Sequence, residues 1–315
     1  MNEQARRADG PMSSALRFGV LALALLASPI SPLLLVLIPL AMMLVALRAD
    51  DVAALITGIV LLAVVFLAGG AAHDTEWFAF RSWPLLLGAG FVIATLLLHE
   101  ANLFTRSLTA VATAFVAVAA VALLRPSVVA ALDAWMAAQV DLASVVLLQW
   151  SQAAAASPDV AESVARAILR WAEIQRQVYP ALLALASLPA LAIGWYVLGR
   201  LTGRPEAPAP VREFRFNDHL VWLFAAGLAL FVLAPGGPLE RLGANAAVFM
   251  AALYVVRGGA VIGWVLRAAG ATAWSWLLLF LATLLLYPVV LGAAFVFGVG
   301  DTWLNVRERF GRRAA

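Results

Sequence analysis

The 315-residue chain contains no cysteine and no lysine, and only 12% of its residues are charged. Without cysteine it can form no disulfide, no thiolate metal site and no thiol nucleophile. All 21 basic residues are arginine, and they are scattered at the ends of apolar runs. Arginines at such positions are topology signals in membrane proteins, so the net charge of +3 does not indicate binding to nucleic acid.

Apolar residues make up most of the chain. They account for 64% of it, whereas a soluble domain is about half apolar and about a quarter charged. No soluble fold could bury this much apolar surface. We therefore predict an all-α fold, a polytopic transmembrane helical bundle with about 8–9 spans, in the cell (inner) membrane and in contact with the lipid bilayer.

The apolar residues fall into nine predicted spans. They lie at residues 16–28, 33–47, 52–67, 78–98, 108–124, 181–198, 220–233, 242–256 and 274–297. The eighth continues to residue 266 if its helix passes through Gly258-Gly259, and Pro288 interrupts the ninth. Nine crossings from a cytoplasmic N-terminus would place the arginine-rich C-terminus outside, against the positive-inside rule. Either one segment does not cross, or the ninth is broken near Pro288.

The polar segments divide the chain. An arginine- and proline-rich stretch, residues 203–218, is predicted as a linker between an N-terminal six-span half, residues 1–202, and a C-terminal half with a basic tail, residues 219–315. Residues 127–178 lie between the fifth and sixth spans. In their second part, apolar residues recur at spacings of three and four. This pattern predicts amphipathic helices on the membrane surface.

Polar side chains in or beside the last spans are the candidate contacts to a substrate or partner. They are Asn245, Arg257, Asp301 and Trp303. A charge inside a span is costly, so it is a hypothesis for a functional site. If the eighth span ends at Arg257, this arginine is an interfacial anchor. If the helix continues, Arg257 is buried and needs an anion, which could be Asp301, a lipid phosphate or a substrate.

Two of these residues also have purely structural interpretations. Asp301 could cap a tail helix over residues 302–310, and Asn245 could form an interhelical hydrogen bond. We predict no catalytic, cofactor-binding or metal-binding residue, because the three histidines are far apart and no metal-ligand spacing occurs. The chain is therefore not expected to be an enzyme.

Three stretches near the C-terminus resemble a known family. They are FRFNDHLVWLF at residues 214–224, NAAVFMAALYVVRGG at 245–259 and GVGDTWLNVRERF at 298–310. Together they are similar to the YybS-like family of bacterial polytopic membrane proteins, which share a domain of unknown function. The resemblance leads us to expect an uncharged polar residue where this chain has Arg257.

The first six spans are more weakly similar to the S components of energy-coupling-factor transporters. Those proteins capture vitamins or metal ions and dock on a membrane partner with two ATPases. The resemblance implies a transport-related function, small-solute binding or translocation, with other membrane or ATPase subunits as partners. The alternative is a non-catalytic membrane scaffold or assembly factor that binds other proteins. The identity of a small-molecule ligand is not predicted.

Overall fold

A computed structural model of the chain describes residues 34–46, 75–124, 126–154, 157–201 and 214–304. Within these ranges the chain forms nine α-helices and no β-strand, which confirms the all-α class. The helices are α1 Leu34–Ala46, α2 Thr75–Leu97, α3 Leu103–Leu124, α4 Pro126–Ala154, α5 Pro158–Leu201, α6 Val221–Leu233, α7 Pro238–Ala268, α8 Ala273–Leu285 and α9 Tyr287–Leu304.

Five of the described helices are long and apolar enough to cross a membrane, namely α3, α4, α5, α7 and α9. Shorter apolar stretches occur in α1, α2, α6 and α8. This composition confirms a multi-pass helical membrane protein. The predicted spans at residues 16–28 and 52–67 lie outside the described residues.

The segment after α3, residues 126–201, differs from the prediction in where its helices begin and end. The predicted sixth span, residues 181–198, is not a separate helix, because α5 runs without interruption for 44 residues. Proline normally ends or kinks a helix by removing one hydrogen bond, but here Pro180 lies inside α5. Residues 130–153 of α4 are also long and apolar enough to cross. The surface placement of residues 127–178 therefore stays a prediction.

The last predicted span, residues 274–297, is broken near Pro288. Helix α8 ends at Leu285 and α9 begins at Tyr287, so the proline is the second residue of the new helix. Proline suits the first turn, where its missing N–H would have no partner anyway. In contrast, α7 passes through Gly258-Gly259 and ends at Ala268. The eighth span is thus the longer of the two alternatives.

The chain forms two compact units. The first contains α1 to α4 and α5 from Ala186 onward, and the second contains residues 157–185 and α6 to α9. In the first unit, Trp83, Leu87 and Phe91 follow one face of α2 and are buried. The indole N–H of Trp83 donates to Ser187 Oγ at 2.9 Å.

The predicted division into residues 1–202 and 219–315 stays a prediction. In the structure, the first part of α5, up to residue 185, belongs to the same compact unit as the C-terminal helices.

The second unit is built on α7. Helix α6 packs against its N-terminal half, where Gly227 and Gly243 let the two backbones meet. Helix α9 packs against α7 where Gly258 faces Gly298. A Cβ atom at Gly258 would overlap the carbonyl of Ala294, so only glycine permits this approach. The crossing brings Arg257 and Asp301, both within three residues of it, to the same place.

The start of α6 and the last described residues of α9 lie close together, because Asp218 and Asp301 both contact Arg257, and we therefore predict that they lie on the same side of the membrane. We expect single-cysteine variants His219→Cys and Leu304→Cys to react with a membrane-impermeant maleimide from the same side. Because the chain has no native cysteine, every labelled position is the introduced one. Leu239→Cys, near the other end of α7, is the control and should react from the opposite side. Labelling of positions 219 and 304 from opposite sides would contradict the arrangement.

Candidate functional site

Arg257 lies well inside α7, and eleven more helical residues follow it, up to and including Ala268. Its side chain is 0% exposed. An interfacial anchor extends its charged group into water or among lipid headgroups, and Arg257 does not. A guanidinium cannot lose its proton in a protein and must therefore be paired when it is buried.

Two carboxylates pair with this guanidinium. Arg257 Nε donates to Asp301 Oδ2 at 3.1 Å, and Nη1 donates to Asp218 Oδ1 at 2.6 Å. The ring of Phe216 lies 5.3 Å from Cζ, within the range of a cation–π contact. Nη2 is buried and has no hydrogen-bond partner among the described residues. Arg257, Asp218 and Asp301 together are called the charge cluster below.

The two carboxylates have different surroundings. Asp301 is 1% exposed and lies within α9, three residues before its end. It does not begin a new helix at residue 302, because α9 continues to Leu304. The side chain of Asp218 is 44% exposed and belongs to a 3₁₀ turn, Asp218–Leu220, that leads into α6. Asn217 Oδ1 caps this turn by accepting the His219 N–H at 3.0 Å.

Aromatic rings surround the cluster on its apolar side. The fully buried ring of Tyr254, one turn before Arg257, packs edge-on against Phe216, Phe224 and Phe295, with centroids 5.2, 6.1 and 6.4 Å away. Such rings exclude water and lower the local dielectric constant, which strengthens every ion pair beside them. The cluster is therefore a polar site walled by apolar side chains.

Asn245 connects α7 to α5 and does not reach the cluster. Its Oδ1 accepts the Ala181 N–H at 2.9 Å, and its Nδ2 donates to the carbonyl of Gln177 at 2.9 Å. These two backbone groups are four residues apart, the spacing of a helical hydrogen bond. The carboxamide thus binds α5 beside Pro180, where the helix has lost a backbone donor. Nδ2 also donates to the Arg241 carbonyl at 2.8 Å.

We expect Asn245→Ala to lower the free energy of unfolding by about 1–3 kcal/mol, because it leaves backbone groups of α5 without their partner. Asn245→Asp keeps the acceptor for Ala181 but removes both donors, so it should not rescue stability. The measurement is the unfolding of the purified protein in mild detergent, titrated with SDS. Leu242→Ala, at an exposed position one turn earlier, is the control. Equal effects of Asn245→Ala and Leu242→Ala would contradict a special role for the carboxamide.

A family described as "Predicted membrane protein (DUF2232)" matches residues 18–302. The chain belongs to this family. Membership in DUF2232 fits the resemblance to YybS-like proteins and supports a location in a membrane, while the inner membrane stays a prediction. No curated protein and no solved structure matches the chain. The likeness of the first six spans to S components finds no support in these comparisons.

In this DUF2232 protein, the structure brings together two of the four predicted site residues, Arg257 and Asp301. Trp303 is exposed and lies beside a groove between α6 and the end of α9. Asp218 was missed by the sequence reasoning, since it was assigned to the linker of residues 203–218. One feature of the sequence could have identified Asp218 as a candidate. It is an acidic residue directly before an apolar helix, and it lies in a stretch that also carries the family resemblance.

Proposed function

We propose that the protein is transport-related and binds or moves a small solute at the charge cluster. The observation that carries this proposal is the complete burial of Arg257 between two carboxylates in a helical membrane protein. Ionisable groups inside membrane helices are expensive and in most cases belong to the path of a solute, an ion or a proton.

The arrangement of helix ends supports the same proposal. Helix α6 begins directly after the 3₁₀ turn that carries Asp218, so its N-terminal end lies next to the middle part of α7. In many transporters, discontinuous helices place their ends at the solute site, because the unpaired backbone groups there can contact polar ligands. Helix α6 places its N-terminal end beside the Arg257 guanidinium in the same way.

The chemistry of the cluster suits a solute with both donors and acceptors. The half-exposed carboxylate of Asp218 can accept further hydrogen bonds, and Nη2 of Arg257 can donate them. Asp301 lies behind Arg257 and is almost fully buried, so it holds the guanidinium in place. A bound solute would contact Asp218 first and Arg257 second.

The test is a ligand screen on the purified full-length protein in mild detergent, with water-soluble vitamins, amino acids and divalent cations as probes. We expect at least one probe to raise the midpoint of thermal unfolding of the native protein. The same probe should lose its effect in Asp218→Asn and in Arg257→Gln. Arg267→Gln, which changes an exposed arginine of the same helix, should retain it. Asp218→Asn matters most, because it leaves the buried pair of Arg257 and Asp301 intact.

Two outcomes would contradict the proposal. The first is that no probe stabilises the native protein. The second is that stabilisation persists in both cluster variants. Stable co-purifying proteins together with the first outcome would instead favour the membrane scaffold or assembly factor. Recovery of a membrane subunit with its ATPases alongside a stabilising solute would support a transport complex.

A further inference from the structure

A groove runs along the outer side of the charge cluster, between α6 and the end of α9. Its volume is about 520 Å³, which lies in the usual range of ligand sites. The residues that line it are Asp218, His219, Val221, Trp222, Phe224, Ala225, Leu228, Val299, Thr302 and Trp303. We define these residues as the amphiphile groove.

Polarity changes along the groove. Its polar groups, Asp218, His219 and Thr302, lie where α6 begins, and its lining beyond them along α6 is apolar up to Leu228. The ten residue-to-residue steps from Asp218 to Leu228 span about 15 Å at the rise of an α-helix. A polar end and an apolar body of this length match an amphiphile.

Both walls of the groove carry an exposed tryptophan. Trp222 and Trp303 are 72% and 63% exposed. Exposed tryptophans in membrane proteins concentrate at the level of the lipid headgroups. Because the tryptophans stand next to the polar end, we expect that end at headgroup level and the apolar part toward the acyl chains.

The charged and polar groups select the headgroup. Asp218 offers a half-exposed carboxylate, which binds an ammonium group through charge-assisted hydrogen bonds. The exposed His219 imidazole can donate to a phosphate oxygen next to that ammonium group. We propose that the amphiphile groove binds a membrane lipid with a primary amine in its headgroup, such as phosphatidylethanolamine. This proposal rests on the groove and not on the proposed transport function.

The test is native mass spectrometry of the full-length protein in mild detergent, with phosphatidylethanolamine or phosphatidylcholine of identical acyl chains. The choline headgroup keeps the charge but has no N–H to donate. We expect the native protein to retain the amine lipid roughly tenfold better, the effect of losing charge-assisted hydrogen bonds. Asp218→Asn should abolish this preference. Trp222→Ala should weaken the binding of both lipids, whereas Trp274→Ala, with a similarly exposed tryptophan on α8, should change neither.

Equal retention of the two lipids by the native protein would overturn the proposal. So would an unchanged preference in Asp218→Asn together with unchanged binding in Trp222→Ala. Octylamine, added without lipid, tests whether the groove binds a soluble alkylamine or the amine of a lipid headgroup. Binding of octylamine with no selective lipid retention would show a soluble alkylamine site and would exclude the lipid. Selective lipid retention in a protein that no solute stabilises would support the groove and contradict the transport proposal.

Discussion

Gly258→Ala is expected to destabilise the protein by about 3 kcal/mol or more, near the upper end of what overpacking costs. The added Cβ atom would overlap the carbonyl of Ala294 and approach the Gly298 nitrogen to 2.8 Å. The obstructing atoms are backbone, so no side chain can rotate away, and α7 and α9 must separate. Separation would also pull Asp301 away from Arg257. The free energy of unfolding in an SDS titration measures the effect.

Gly259 provides the matched control, because it is the next residue in the same helix. A Cβ atom there meets nothing within 4 Å. Gly259→Ala should be neutral or stabilise the protein by about 0.5–1 kcal/mol, since alanine loses less backbone entropy in a helix. Gly298→Ala should resemble Gly258→Ala, because its Cβ atom would overlap the Tyr254 carbonyl. Similar stabilities of Gly258→Ala and Gly259→Ala would contradict the close crossing.

Arg257→Met is expected to cost about 3–5 kcal/mol, the usual penalty for removing one partner of a buried ion pair. Methionine is apolar and unbranched but shorter than arginine, so a cavity accounts for part of the loss. The larger part comes from Asp301, whose carboxylate stays buried at 1% exposure after its partner at 3.1 Å is removed. Arg267→Met, at an exposed position of the same helix, should change stability by less than about 0.5 kcal/mol.

A double-mutant cycle separates the interaction energy between Arg257 and Asp301 from their interactions with the rest of the site. Asp301→Leu combined with Arg257→Met removes both charges, so the double variant should be more stable than Arg257→Met alone. The expected coupling energy between the two positions is about 0.5–3 kcal/mol. Additive effects of the two substitutions would mean that Arg257 and Asp301 do not depend on each other. The measurement is again unfolding in SDS-containing micelles.

Composition and helix breakers allowed several features to be predicted. The break near Pro288 was one of two alternatives because proline disfavours the interior of a helix but suits its first turn, and α9 begins one residue before it. The pairing of Arg257 with Asp301 was one of three pairings considered for a buried Arg257, beside those with a lipid phosphate and a substrate. It depended on whether α7 continued beyond Gly258-Gly259, and a glycine pair in a sequence does not decide between a helix break and a close crossing.

Other features depended on contacts between segments far apart in the chain. The helix boundary predicted between residues 178 and 181 does not occur, because α5 continues through Pro180, which is locally a signal for a helix end. The carboxamide of Asn245, 64 residues from Ala181, binds the backbone at this point. Asp218 was overlooked for a similar reason. Its partner, Arg257, is 39 residues away, and its own neighbours resemble those of any linker.

Composition is enough to identify a helical membrane protein, because 64% apolar residues need lipid as their solvent and helices satisfy their own backbone hydrogen bonds. The positions of Arg257 and Asp301 beside apolar runs also mark them as costly charges. Which charges meet, and where, follows from the packing of the helices. Pairing of Arg257 with Asp301 and Asp218 depends on the side-by-side packing of three helices and on the absence of a Cβ atom at Gly258 and Gly298. Such distances depend on the whole packing and cannot be read from periodicity along one segment.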